Sequence, residues 1–370
     1  MKRLLSVFIA LIIALSLVAC SGNKTTDIYE CETAEEAVAN MTLGFNFGNT
    51  LDSTGDWFDR DNIEACETGW GNPLITREQV KGVKAAGFDA VRLPISWRDH
   101  IDEDGTIDKI WLDRVNEVVD YIMDEDLYCI INVHHDTGAD GWIRASEKNY
   151  KEKGDVYAKI WKQVAIRFKD YGEKLLFESI NETLDEHGNW GWPDADDTRG
   201  MYLYTQRFVD VVRSCGGFNE TRNLVLNTYA ASAGGAISDF ILPEDTVEGH
   251  FILEVHNYDP QGFCWQDAGW TTMTDKWGSD SDKAAMDNYF KDTHERVEKL
   301  GLPLIIGEFG SWDKNNDAER AEHAAYVVGK AKEYGIKCFW WSCGDASLID
   351  RYTSKPIHEE IVKAMVNAVK

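Results

Sequence analysis

Two glutamates, Glu182 and Glu308, each close a short apolar run of the chain. Breaking a glycosidic bond needs two carboxyl groups, an acid to protonate the leaving oxygen and a carboxylate across the sugar from it. The acid must stay protonated near working pH, which requires a raised pKa. A neighbouring ionised carboxylate supplies that when the two sit close. A lone glutamate on an acidic chain is ordinarily a surface charge, so the pair needs support from its surroundings. Arg92 gives some: it interrupts the apolar run Ala90–Leu93, where an unpartnered charge would be costly. It forms a structural ion pair, a contact with one of the carboxylates, or both at once. His134, His135 and Asp136 stand together and raise the question of a metal. Neighbouring side chains on a strand point to opposite faces, so the two histidines are not expected to share an ion, and neither a metal nor a cofactor is assigned. The chain has 14 tryptophans. Indole faces stack on the apolar faces of sugars, whose hydroxyls need polar partners. Trp70, Trp142, Trp190, Trp192, Trp265, Trp270, Trp277, Trp312 and Trp341 fall in expected loops or at strand ends, and Trp111 and Trp161 on expected helices as core.

These residues need a scaffold that brings distant parts of the chain to one place. Short runs rich in β-branched residues occur at Leu43–Asn46, Ala90–Leu93, Tyr128–His134, Leu175–Ile180, Leu224–Asn227, Phe251–His256, Leu304–Glu308 and Cys338–Trp341. Helical patterns lie between them. Thr76 and Gln79 have the spacing of a capping box, and Gly87 sits where that helix should stop. Trp111 to Ile122 and Val156 to Phe168 keep a helical period, the second ending near Gly172. Asp317 is placed to cap a helix running to Gly335. Eight such units in one domain predict an α/β (β/α)8 barrel. A doubly wound open sheet is the alternative, but no Gly-rich phosphate loop follows the first run. The runs end in Asn46, Arg92, His134, Asn181-Glu182, Asn227, His256 with Tyr258, Glu308 and Trp341. Barrel enzymes build their sites at these C-terminal ends.

Residues 1–19 combine a basic head, Lys2-Arg3, with an apolar stretch and small residues at its end, the order of a secretory signal peptide. Leu17-Val18-Ala19-Cys20 resembles the bacterial lipobox, which implies cleavage before Cys20 and a lipid on its sulfur. Residues 20–33 read as a polar, flexible tether and 34–370 as a single catalytic domain. The expected location is extracytoplasmic, on the bacterial cell surface or envelope, with the membrane reached only through Cys20. The chain is expected to act as a monomer. A formal charge of −26 excludes nucleic acid and disfavours polyanionic substrates, leaving a neutral polymer as the simplest partner. Eight cysteines show no Cys-x-x-Cys spacing and no disulfide framework. Cys129 and Cys338 read as small core residues.

The motifs Val91-Arg92-Leu93-Pro94, Asn132-Val133-His134-His135, Phe177-Glu178-Ser179-Ile180-Asn181-Glu182, Val255-His256-Asn257-Tyr258 and Ile306-Gly307-Glu308-Phe309-Gly310 occur in this order. Together they resemble glycoside hydrolase family 5, the retaining cellulases and mannanases. Glu67-Thr68-Gly69-Trp70-Gly71-Asn72-Pro73 and His134-His135-Asp136-Thr137 are similar to its endoglucanase and xyloglucanase branch. The resemblance implies that Glu308 is the nucleophile and Glu182 the acid/base. It further implies that Arg92 keeps Glu308 ionised, that Tyr258 contacts the nucleophile and that Asn181 holds the sugar 2-hydroxyl. Asn46, His134, His135 and His256 are taken as substrate or supporting residues, with Trp341 beside the cleaved bond and Trp142 flanking the sugars beyond it. Two positions depart from the pattern. Thr183 replaces the usual proline after the acid, and Ser342-Cys343 replaces Asp-Asn after the last strand.

The expectation is endo-acting, retaining hydrolysis of β-1,4 bonds in a cellulose-type glucan, mixed-linkage glucan or xyloglucan. The rivals are a β-mannanase or xylanase on the same scaffold, a non-hydrolytic glycan-binding lipoprotein and a metal-dependent barrel hydrolase.

Overall fold

The computed structural model describes residues 29–370 apart from 268. The expected signal peptide 1–19, the expected lipidation site Cys20 and the first part of the expected tether lie outside these residues. Eight parallel strands close into a barrel in sequence order, β1 (Gly44–Phe47), β2 (Ala90–Leu93), β3 (Tyr128–Ile131), β4 (Leu175–Glu178), β5 (Leu224–Asn227), β6 (Phe251–Asn257), β7 (Leu304–Phe309) and β8 (Lys337–Ser342). Parallel neighbours require crossovers, and helices supply them, burying the outer faces of the strands.

The sequence rules locate the helices closely. Thr76 and Gln79 form the expected capping box on the helix Arg77–Ala86, and Gly87 ends it at φ 106°. That left-handed backbone favours a residue without Cβ. Trp111 and Trp161 are buried on the helices Lys109–Asp124 and Glu147–Arg167. Asp317 is the first residue of its helix rather than the cap, which is Asn316. Three strand boundaries near the mouth of the barrel differ from the sequence pattern. β3 stops at Ile131 and β4 at Glu178, so His134, His135, Asn181 and Glu182 lie on loops. β6 runs on to Asn257.

The base of the barrel is plugged by helix α1 (Ala34–Asn40). Its apolar face, Ala34, Ala37 and Val38, packs with Met41 against Ala90, Tyr128, Ile130, Leu176, Val225, Ile252, Ile305 and Phe339. The Thr33 side chain and Glu36 cap it reciprocally. Residues 29–33, read as flexible tether, are instead fixed to the barrel. Tyr29 packs edge-on to Phe218, and the Cys31 amide donates to Thr221. Glu32 accepts from the Tyr128 hydroxyl. The packed domain therefore begins by Tyr29 and not at Ala34. The seven described cysteines are all free, with Cys129 and Cys338 buried as expected.

Candidate active site

The upper ends of the strands converge on Arg92. Its side chain is fully buried, and every nitrogen of the guanidinium has an acceptor. Nε lies 2.6 Å and Nη2 2.8 Å from the two oxygens of Glu178, a bidentate pair. Nη1 donates to Glu308 Oε1 at 2.7 Å and Asn46 Oδ1 at 3.1 Å, and Nη2 to Asn181 Oδ1 at 2.7 Å. Nε also stands 3.2 Å from Glu254 Oε1. Both readings of Arg92 hold at once: it is a structural ion pair with Glu178 and a direct partner of Glu308.

Pairing between strands explains this convergence. Asn46 is in register with Arg92 on one side and Trp341 on the other, and His256 with Glu308. The register shifts at Val255/His256 and again between Ile306 and Phe309. Such irregularities re-aim side chains at a barrel rim. Asn46 does not face open space. Its amide donates to the Gly307 carbonyl at 2.9 Å, which ties β1 to the residue before Glu308.

Glu308 is held from both sides. Tyr258 donates its hydroxyl to Oε2 at 2.9 Å, while Arg92 takes Oε1. Burial raises the pKa of this carboxyl, and His256 and Arg92 pull the other way. Glu182 lies four residues past the end of β4, early in the connection to the helix Ala195–Arg213, and is more open to solvent. Its Oε1 is 2.8 Å from His256 Nδ1. Carboxylate oxygens of Glu182 and Glu308 lie within 4.8 Å of each other.

Asn181 has its Oδ1 fixed by Arg92, which turns the amide NH2 group away from the guanidinium. The loop carrying Asn181 and Glu182 is held by hydroxyls. Thr137 and Thr183 both donate to the Asn181 carbonyl, Thr183 at 3.1 Å. At this departure from the family pattern, a buried threonine folds back onto its own loop.

His134 Nδ1 accepts from the Asn132 amide at 3.1 Å, and its Nε2 points at Glu308 Oε1, 3.9 Å away. Burial drives its pKa well down, so the ring is neutral with its proton on Nε2. The expectation that His134 and His135 face opposite ways does not hold, because both lie beyond the end of β3. Their rings meet edge-on at 4.4 Å, and ligand atoms of Asp52, His134 and His135 come within 4.8 Å of one another. Binding an ion there through His134 Nε2 would require the ring proton to move to Nδ1, which breaks the contact with the Asn132 amide. His135 lies 3.5 Å from Asp52 and packs against Trp70 at the rim.

Trp341 lies parallel to the His134 ring at 5.6 Å and is nearly buried. Its indole edge occupies the space beside Gly48, where a Cβ would fall 2.8 Å from the ring. The indole N–H donates to Cys343 Sγ at 2.9 Å. At this second departure, a thiol anchors the tryptophan. Trp142 is half-buried and donates to Asp136 Oδ1 at 2.7 Å. Burial raises Asp136 to about 6. Trp265 and Trp312 stack at 4.7 Å, with Tyr258 against Trp265. Trp277 is buried packing, whereas Trp57, Trp70, Trp190, Trp192 and Trp270 are exposed.

Glu178, Glu254 and Asp52 belong to this site and were not assigned from the sequence. An acidic residue inside an apolar strand carries the same signal as Arg92, and Glu178 and Glu254 both show it. Burial raises Glu178 to about 7 against the pull of Arg92. Burial also acts to raise Glu254, but Arg92 and His256 outweigh it and hold this carboxyl low.

The profile of the cellulase family, glycosyl hydrolase family 5, matches residues 51–347. Endoglucanase B of Clostridium cellulovorans is 37% identical over 318 residues, covering 84% of this chain and 68% of that protein. The chain spans as little as 40% of longer relatives. Among solved structures, a Prevotella bryantii family 5 enzyme in complex with a xyloglucan tetradecasaccharide superposes with a TM-score of 0.84 at 35% identity. That match covers 92% of this chain and all of the other. A broad-specificity endoglucanase from Ruminococcus champanellensis with bound cellotriose gives 0.85 at 34% identity, covering 90% and 98%.

Proposed function

The chain belongs to glycosyl hydrolase family 5, and we propose that it cuts internal β-1,4-glucosidic bonds of a neutral β-glucan with net retention, Glu308 acting as nucleophile and Glu182 as acid/base. The observation that carries this reading is the approach of the two carboxyls to within 4.8 Å. Retention needs them roughly 5 Å apart, whereas inversion needs room for a water and about 6.5–9.5 Å.

In the first step Glu308 attacks the anomeric carbon while the C1–O bond breaks and Glu182 protonates the leaving oxygen. Arg92 and Tyr258 hold the attacking carboxylate ionised and oriented, one on each oxygen. The free amide NH2 group of Asn181 is placed to donate to the sugar 2-hydroxyl, a contact that strengthens in the transition state. In the second step water attacks the glycosyl-enzyme, Glu182 takes its proton, and the Glu308 ester breaks. Trp341, locked by Cys343 and His134, offers a stacking face beside the cleaved bond.

Similarity to endoglucanases and to a xyloglucan-bound enzyme favours glucan over mannan or xylan. A purely binding lipoprotein would have no use for an arginine clamped on one carboxylate of a close pair. Reducing-end release from carboxymethyl cellulose, barley β-glucan, xyloglucan, xylan and mannan tests the reading, with Glu308→Gln as blank. Glucan activity absent from the blank supports it. Reaction on mannan or xylan alone, or on nothing, overturns it.

The location belongs to the same proposal: a monomer attached to the envelope through lipid on Cys20. The plug α1 sits at the base of the barrel, so a tether leaving Tyr29 would start on the face opposite the two glutamates. Globomycin sensitivity of processing, lost in Cys20→Ala, would test the anchor.

A further inference from the structure

We propose that Glu254 is a positioning residue: its buried carboxylate fixes a proton on His256 Nε2 and so holds the ring against the general acid Glu182, making the alkaline limb of activity depend on Glu254. This rests on the assignment of Glu182 as acid/base.

Nothing in two-carboxylate hydrolysis calls for Glu254. It lies inside the apolar run of β6, wholly buried. On a strand its side chain shares a face with His256, two residues on. Glu254 Oε1 stands 3.2 Å from His256 Nε2 and 3.2 Å from Arg92 Nε, while Oε2 has no partner among the described residues. A buried carboxylate with a bare oxygen is costly. Its neighbour Gly307 on β7 makes room for it, since a Cβ there would fall 1.7 Å from Glu254 Oε1. A charge held at that cost has a use, and its contacts show where.

An ionised carboxylate only accepts hydrogen bonds, so His256 Nε2 must carry a proton toward Glu254. The other ring nitrogen, Nδ1, faces Glu182 Oε1 at 2.8 Å and Glu308 Oε2 at 3.6 Å. A single proton on the line from Nδ1 to Glu182 therefore serves both groups. The charged groups around His256 are Glu182 after β4, Glu254 on β6 and Glu308 on β7, with neutral His134 after β3. Behind Glu254 stand Arg92 on β2 and Glu178 on β4. Burial opposes a charge on His256, but Glu308 and the hydrogen bonds to Glu182 and Glu254 outweigh it and push its pKa up to about 10.

During glycosylation Glu308 bonds to C1, the C1–O bond breaks, and the shared proton leaves through Glu182 to the departing oxygen. Negative charge thus passes from Glu308, now an ester, to Glu182, and both positions flank His256. Its Nε2–H stays on Glu254 throughout. In deglycosylation the proton of the attacking water restores the pair.

The test uses the full-length enzyme and its Glu254→Gln and Glu254→Asp variants. Glu254→Gln should move the alkaline limb of kcat/KM on a soluble β-glucan down by about one pH unit or more. Glu254→Asp, which keeps the charge, should restore most of that shift. On a dinitrophenyl cellobioside, whose leaving group needs no proton, the Glu254→Gln enzyme should keep its alkaline activity. A purely structural role would lower both substrates alike. Imidazole 15N shifts supply an independent measurement on the wild type, where His256 should remain protonated at pH 8. An unmoved limb in Glu254→Gln, or a neutral His256 at pH 8, overturns the proposal. Failure of the acid/base assignment is read separately, as azide rescue of Glu182→Ala that yields no β-glycosyl azide.

Discussion

Arg92 and Glu308 meet across the mouth of the barrel, from β2 and β7, with Nη1 2.7 Å from Oε1. The same guanidinium clamps Glu178 with two parallel bonds. A point charge cannot serve both carboxylates and two asparagines at once. Arg92→Lys should therefore fold but lose about 100-fold or more in kcat/KM. Turnover near that of the wild type, measured on a soluble glucan, would remove Arg92 from the mechanism.

Tyr258 and Glu308 set the acid limb of the pH profile. Burial raises Glu308, and the Tyr258 hydrogen bond is among the contacts that lower it. The nucleophile must be ionised, so activity is lost as pH falls through its pKa. Tyr258→Phe removes a lowering contact, and the limb should move to higher pH by about half a unit to one unit. A limb that stays put or moves to lower pH contradicts this arrangement.

Cys343 anchors Trp341 through its sulfur. Cys343→Ala leaves a nearly buried indole N–H without an acceptor, at a cost of about 1 kcal/mol or more. The effect should appear as a KM raised about fivefold with kcat less changed, if the ring serves as a stacking face in ground and transition state alike. Restoring an acceptor with Cys343→Asn should recover affinity.

How much of this was legible in the sequence depended on whether the signal was local. Arg92 announced itself, because a charge in a four-residue apolar strand must have a partner. Strands β2 and β5 were bounded without error, since apolar runs with polar ends mark them sharply. The histidine pair misled, because an apolar run that continues past a strand's last hydrogen bond looks like strand. Glu254 carries the same local signal as Arg92, a charge inside an apolar strand, but not the identity of its partners. Its contacts with Arg92 from β2 and the space left by Gly307 on β7 are tertiary, and spacing along the chain does not reveal them. The tether boundary failed for a similar reason. Residues 29–33 are largely polar, and their partners Phe218, Thr221 and Tyr128 are remote in sequence.

The roles of the two glutamates can be separated by chemical rescue. With azide and an activated substrate, Glu182→Ala should give a β-glycosyl azide, because the intermediate on Glu308 still forms. Glu308→Ala should give the α-azide by direct displacement. The same anomer from both variants would undo the assignment.

The base of the barrel offers a stability test independent of the site. Thr33 and Glu36 cap α1 reciprocally, and α1 closes the core beneath the strands. Thr33→Ala should lower unfolding free energy by about 1 kcal/mol in denaturant titration, with kcat unchanged. A larger loss accompanied by inactivity would mean that the plug positions the mouth as well.

The close approach of Glu182 and Glu308 favours retention, and proton NMR of early hydrolysis reads the stereochemical course directly. Cello-oligosaccharide cleaved in deuterated buffer should show the β-anomer of the new reducing end first, with the α-anomer growing only by mutarotation. An α-anomer that appears first would mean inversion, and would contradict a glycosyl-enzyme on Glu308.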